Sequence, residues 1–507
     1  MRASWLLFPT FCAALPLSAQ DAEPLSAIDW LSQSVVAEPD APIAPTNHIE
    51  PPIASTADVP QVTVTALDAP DTAPIGLLSS QVTGLPASLW ASSTIDTLIP
   101  LLRSVRADTL PAAQDLVMTL LLAEATAPLG DSAGGALFQA RIDKLLDIGA
   151  LEPAMALLEQ GDSQQPDLFR RWFDVALLTG NEDAACDVMR ETPGVAPTYP
   201  ARIFCTARNG DWSTAALTLN TRRVLGDITG EEEALLSRFL DPDLFEGEAP
   251  LPAPSRLSPL VFRMREAIGE PLLTNRLPNA FAHADLRNTT GWKSQLDASE
   301  RLARMNAISE NVLFGHYLAH TPAASGGIWD RVDAIQQLDE AIRARDPNAV
   351  SAVLPAAWTA MQKAELEVPF ARYFAQDLSG LPLTGEAATQ MQDIGLLSPE
   401  AEAVAQLAPE QTFVMRLAQG APSGAASDLE RAIQAGFGDA DPPADLEAMA
   451  RNGALGEALL KSIATFNAGA AGDLSALTGV LTFWRFVGLE DVARKAALQV
   501  LILKRNT

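Results

Sequence analysis

Side chains that carry chemistry are scarce in this chain. Four histidines, three tyrosines and three cysteines are spread over 507 residues, and 35 Lys and Arg stand against 63 Asp and Glu. The resulting net charge of −28 excludes nucleic acid and anionic lipid surfaces as partners, because both demand clustered Lys and Arg. No basic run exceeds Lys504-Arg505. Of the histidines, His48 and His283 stand alone, while His316 and His320 have the i, i+4 spacing of one helix face. A zinc metalloprotease needs Glu directly after the first of such a pair, and Tyr317 is there instead. They read as polar residues at a helix end.

Other signatures are missing too. There is no phosphate-binding Gly-Lys-Ser/Thr loop and no dinucleotide fingerprint, and although Gly130-Asp131-Ser132-Ala133-Gly134 has the letters of a Gly-x-Ser-x-Gly elbow, it lacks the strand pattern that such an elbow follows. Gly134-Gly135 and Gly326-Gly327 follow no strand pattern and read as interhelical loops, and Glu231-Glu232-Glu233 reads as an acidic helix start. Carboxylates are too abundant for any pair to be singled out as a glycosidase dyad. The sequence thus assigns no catalytic residue, no cofactor site and no metal site, and predicts a protein that is not an enzyme.

Long apolar runs are absent except at the start. Arg2 precedes an apolar stretch, Trp5 to Leu15, which Pro16 ends, and Leu17-Ser18-Ala19 supplies small residues for cleavage after Ala19. Residues 1–19 therefore read as a signal peptide, with an uncleaved anchor as the competing reading; the stretch falls short of the roughly 18 apolar residues a membrane span needs. Cys12 lacks the small-residue context of a lipoprotein box. The apolar C-terminal region is interrupted by Arg485, Glu490, Asp491, Arg494 and Lys495, charges too dense for hydrocarbon. Export to the periplasm, with no membrane span after cleavage, is the expectation.

Signal removal leaves Cys186 and Cys205. In an oxidising compartment such a pair is expected to bridge, closing a loop worth about 3 kcal/mol in the chain-entropy model; two unpaired buried thiols are the alternative.

Proline is plentiful in one region only. Residues 37–87 are dense in Pro, Ala, Ser and Thr and read as a disordered linker, since so little apolar surface cannot offset ordering entropy. Within it, Gln61-Val62-Thr63-Val64-Thr65 alternates with period two and could add a strand to something else. Before it, residues 20–36 hold a short amphipathic segment. Ile28, Leu31 and Val35 fall at i, i+3 and i+7, with Trp30 beside them. Such a helix is marginal alone in water, so the readings are that it docks on its own protein, that it frays after the signal, or that it acts as a tethered peptide for a partner's groove.

Residues 88–507 are rich in Ala and Leu and read as helix after helix. Gly149, Gly180 and Gly210 recur at a spacing near thirty, each with Ala five positions later and an apolar residue at nine; the pattern returns at Gly488 and, weakly, at Gly453. Glycine in the left-handed region closes one helix, and the small alanine lets the next approach closely. A helix-turn-helix unit of this period resembles tetratricopeptide-like (TPR-like) repeats, so an all-α, helical-repeat solenoid is predicted.

Three stretches together carry a family resemblance. They are Ser26-Ala27-Ile28-Asp29-Trp30-Leu31-Ser32; Val62-Thr63-Val64-Thr65-Ala66-Leu67 with Ile75-Gly76-Leu77-Leu78 and Thr83-Gly84-Leu85-Pro86; and Gly472-Asp473-Leu474 through Val487-Gly488-Leu489-Glu490-Asp491-Val492-Ala493-Arg494. In these the chain resembles exported α-helical periplasmic proteins of motile Gram-negative bacteria that are associated with the flagellar motor. The resemblance implies a non-catalytic scaffold or adaptor required for motility, with periplasmic or inner-membrane envelope proteins, flagellar motor components among them, as partners. Ile28, Trp30, Leu31 and Val35 are the candidate partner-binding residues. A cell-wall-acting periplasmic enzyme and a periplasmic export chaperone are the alternatives.

Overall fold

The computed structural model describes residues 74–132, 134–161 and 165–503. The signal peptide, the segment carrying Ile28, Trp30, Leu31 and Val35, and the linker up to residue 73 lie outside the described residues. Regular structure among the described residues is helical, apart from two isolated bridges in which Ile75 faces Ala125 and Leu78 faces Ala123. The buried Arg141 guanidinium holds this strap, donating to the carbonyls of Leu121, Ala123 and Ile75 at 2.8, 2.8 and 3.1 Å. Residues 75–87, read from the sequence as the end of the linker, are therefore packed on the helices, with Leu85 buried. The helices α1 (Ser80–Thr83), α2 (Ile95–Ser104) and α3 (Pro111–Leu122) follow.

Three helix pairs come next: α4 (Ala136–Ile148) with α5 (Leu151–Leu158), α6 (Pro166–Thr179) with α7 (Glu182–Glu191), and α8 (Tyr199–Arg208) with α9 (Trp212–Leu225). Gly149, Gly180 and Gly210 sit in their turns at φ 95°, 82° and 86°, a region that only glycine enters without strain. Five residues on, Ala154, Ala185 and Ala215 are completely buried, and Leu158, Met189 and Leu219 continue the covered stripe. After α10 (Gly230–Leu240), α11 (Pro259–Ala267) returns to pack on α6, and the short α12 (Ala282–Asp285) joins them.

A second apolar core is built by α13 (Trp292–Arg304), α14 (Glu310–Tyr317), α15 (Ile328–Arg343), α16 (Pro347–Ala364), α17 (Glu367–Ser379) and α18 (Glu386–Leu396). Phe314 lies at its centre, with the Tyr317, Tyr373 and Phe374 rings 5.7, 4.7 and 5.1 Å away. Such aromatic pairs add roughly 0.5–1.5 kcal/mol each beyond their area.

The chain continues through α19 (Ala401–Leu407), α20 (Phe413–Ala418), α21 (Asp428–Gly436), α22 (Ala444–Arg451), α23 (Leu455–Ala470), α24 (Leu474–Phe486) and α25 (Glu490–Leu503). The turn rule reappears: Gly453 and Gly488 have φ 81° and 85°, and Ala458 and Ala493 are buried. These last helices pack on the first ones, α23 against α2 and α3, and α25 against α3. Gly456 is what lets α23 approach. Its N–H donates to the Leu89 carbonyl at 2.9 Å, and a Cβ there would lie 2.3 Å from the Trp90 ring. One apolar core runs from Leu85 to Leu498. The described helices are therefore not laid out as an open-ended array. An open array would expose the apolar faces that the first and last helices here bury against each other.

Candidate functional site

The two cysteines lie at the junction of the second and third helix pairs, Cys186 on α7 and Cys205 on α8, both buried and joined as a disulfide. Charges reinforce the junction. Arg263 on α11 reaches the buried Glu182 carboxylate at 2.8 Å, and Arg208 pairs with Asp183. The i+19 spacing of the cysteines places them on facing helices because one turn and the rest of two helices lie between.

Several carboxylates are buried, and their surroundings define what they do. Glu300 accepts from the Tyr317 hydroxyl at 2.6 Å and from the Arg331 guanidinium at 3.0 and 2.9 Å. Burial, and then the Glu300 charge, hold the Tyr317 hydroxyl well above the ordinary phenol range. This is a neutralised, hydrogen-bonded set that fixes α13, α14 and α15 together. Asp174 on α6 is different: burial pushes its carboxyl up to about 8, against the pull of Arg170 and Arg171, so it is largely protonated at neutral pH. Asp115 on α3 lines a small cleft where α3, α17 and α25 meet, and it is bound by Arg372 at 2.6 Å and by the Asn306 amide at 3.0 Å. That arrangement ties three distant parts of the chain.

His48 lies outside the described residues, and the other three histidines take structural positions. His283, whose ring nitrogen donates to the Gly149 carbonyl at 2.6 Å, fastens α12 to the α4–α5 turn; burial lowers its pKa to about 4. The His316 carbonyl accepts from the Trp292 indole, and the His320 ring packs edge-on against that indole. Burial also lowers the pKa of His316. Among the described residues no group of three or more His, Cys, Asp or Glu is placed to hold a metal ion.

Two surfaces stand out. The first is the outer face of α9. Leu217 and Val224 are 68% and 81% exposed, on the side opposite Ala215 and Leu219, with Leu225 at the edge of the stripe. Leu244, just after α10, is exposed as well. The sequence held this signal, since apolar residues occupy both faces of α9, but the repeat pattern explained only the inner one. The second is a groove of about 370 Å³ between the α2–α3 turn and α23, walled by Leu101, Val105 and Leu110 and floored by Leu460, Ala464 and Ala468.

Among the described residues no helix is long and apolar enough to cross a membrane. No protein-family model, no curated protein and no solved structure matches the chain.

Proposed function

We propose that this protein is an exported, non-catalytic scaffold of the periplasm that binds envelope proteins and serves flagellar motility, with the helix pairs from α4 to α9 acting as TPR-like repeats. The single observation that carries the binding role is the apolar stripe on α9. The pairs bury their large apolar side chains efficiently, yet Leu217, Val224 and Leu225 are left facing outward on one helix. Leu217 and Val224 stand two turns apart on that face with Asn220 and Thr221 exposed between them, and large apolar side chains held outward on one helix face suit a protein contact. The buried Cys186–Cys205 disulfide supports an oxidising compartment, and the glycine-closed pairs support the repeat reading. The motility role rests on the resemblance carried by Ser26–Ser32, by Val62–Leu67 with Ile75–Leu78 and Thr83–Pro86, and by Gly472–Leu474 through Val487–Arg494, described above.

The test is a deletion strain complemented with the full chain or with Leu217→Asp and Val224→Asp together. The full chain should restore swimming and recover envelope proteins by affinity capture. The double variant should keep the helical content and lose both. Normal swimming of the deletion strain would end the motility reading, and unchanged capture by the double variant would end the α9 reading.

A further inference from the structure

We infer that the groove between the α2–α3 turn and α23 is the seat of the chain's own Ile28–Val35 segment, which docks there as a short helix. The inference stands apart from the α9 contact and from the motility role. The groove's shape suits a helix. Leu460, Ala464 and Ala468 recur every fourth residue on α23, making a shallow trough about 12 Å long, and the two alanines at its floor are exposed. Small residues of this kind let a second helix approach closely, while Leu101 and the largely buried Val105 and Leu110 stand as the opposite wall, with Ser104, Arg106, Asp108, Thr109 and Asn467 lining the groove beside them. The segment's stripe, Ile28, Leu31 and Val35, spans about 10 Å as a helix, so the two lengths match.

The tether reaches. The described chain begins at Pro74, and Ile75 bridges to Ala125, just past the C-terminal end of α3. The groove lies at the other end of α3, beside Thr109 and Leu110. Twelve residues of helix separate the two points, about 18 Å. Residues 36–73 supply ample contour length to cover that distance, at roughly 3.3–3.6 Å per residue when extended, so the segment is tethered within reach of the groove. A helix too short to persist in water gains its stability from such a contact. The same segment then has two states: seated in its own groove, or released to another protein.

The experiment replaces Ser32, which flanks the Ile28–Leu31–Val35 stripe on a helix, with p-benzoylphenylalanine in the full exported chain, irradiates it, and maps the crosslinks by mass spectrometry using mixed light and heavy isotope-labelled protein. Crosslinks within one chain to residues 101–110 and 460–471 are expected, and Leu31→Asp should reduce them about tenfold without altering the folded domain, because it removes the central apolar anchor from a segment outside the domain. Crosslinks between chains, crosslinks to α9 or elsewhere, no crosslink at all, or a yield unchanged by Leu31→Asp would overturn the inference.

Discussion

The Gln499 side-chain carbonyl accepts the backbone N–H of Ala112 at 2.7 Å, so a residue of α25 satisfies the first turn of α3 across 387 positions of sequence. Helix N-termini carry donors with no intrahelical partner, and Leu110 at the start of α3 has no side chain that can cap them. The last helix supplies the missing acceptor. Nearby, Ser93 donates to Glu457 at 3.1 Å and Thr109 meets Asn467, so the first and last helices share polar as well as apolar contacts.

Replacing Gln499 with Leu keeps the volume and removes the acceptor. The Ala112 N–H is then buried without a partner, a loss of about 1–3 kcal/mol. Denaturant unfolding followed by circular dichroism should show a lower midpoint for Gln499→Leu; an unchanged midpoint would mean that the contact carries no weight.

The Cys186–Cys205 bridge closes a loop between two packed helix pairs. Cys186→Ala together with Cys205→Ala should lower the unfolding free energy by about 2–4 kcal/mol. Free-thiol labelling of the protein purified from the periplasm without reductant should find neither residue reactive until it is reduced and unfolded. Rapid labelling of the native protein would contradict an oxidised pair.

His283 gives a pH dependence with a definite sign. Its pKa is about 4 in the folded protein against an ordinary 6.5, so the unfolded chain binds the extra proton between those values. The stability due to the neutral ring is complete above about pH 6.5 and falls as pH drops toward 4, at no more than about 1.4 kcal/mol per pH unit. His283→Gln keeps a donor for the Gly149 carbonyl and does not titrate. The stability of the native protein relative to His283→Gln should decline between pH 7 and pH 5, and a constant difference would refute the assignment.

Asp174 acts in the opposite direction. Its folded pKa of about 8 lies above the ordinary 3.8, so the folded state holds the proton through the neutral range. Stability from that group is present at low pH and is lost as pH rises through about 8. Asp174→Asn should therefore gain on the native protein between pH 6 and pH 9, measured by thermal unfolding across that range; a variant that loses ground to the native protein, or keeps a constant difference, as pH rises would contradict the buried, protonated carboxyl.

The helical class and the turns of the outer helix pairs were legible because glycine marks them. Gly149, Gly180, Gly210, Gly453 and Gly488 all occupy the left-handed turn that their spacing predicted. The middle of the domain was not legible, because it makes the same turn without glycine. Asn306, Arg345 and Glu365 have φ 54°, 51° and 57°. Five positions after two of them stand Val350 and Phe370, fully buried where the outer repeats use alanine. The larger residues fill the same position after the turn and break the glycine–alanine pattern. At such positions a side chain costs about 1–2 kcal/mol, so Glu365→Gly should raise the unfolding midpoint. A lower midpoint would show that the Glu365 side chain contributes more than its backbone strain removes. The union of first and last helices was illegible for another reason: Gln499 and Gly456 belong to no local pattern, and only packing reveals their partners. The α9 stripe lay in plain sight, but a helix pattern alone does not say which of two apolar faces stays uncovered.

Amide hydrogen exchange on the full chain tests the joining of the two ends most directly. The amides of Ala112 and Gly456 find their acceptors in the opposite end of the chain, on Gln499 and Leu89. Both should be protected to the level of the interior of α3, and Gln499→Leu should abolish the protection of Ala112 first. Exchange of both amides at the rate of an unstructured chain, while α15 to α17 remain protected, would show that the ends do not meet.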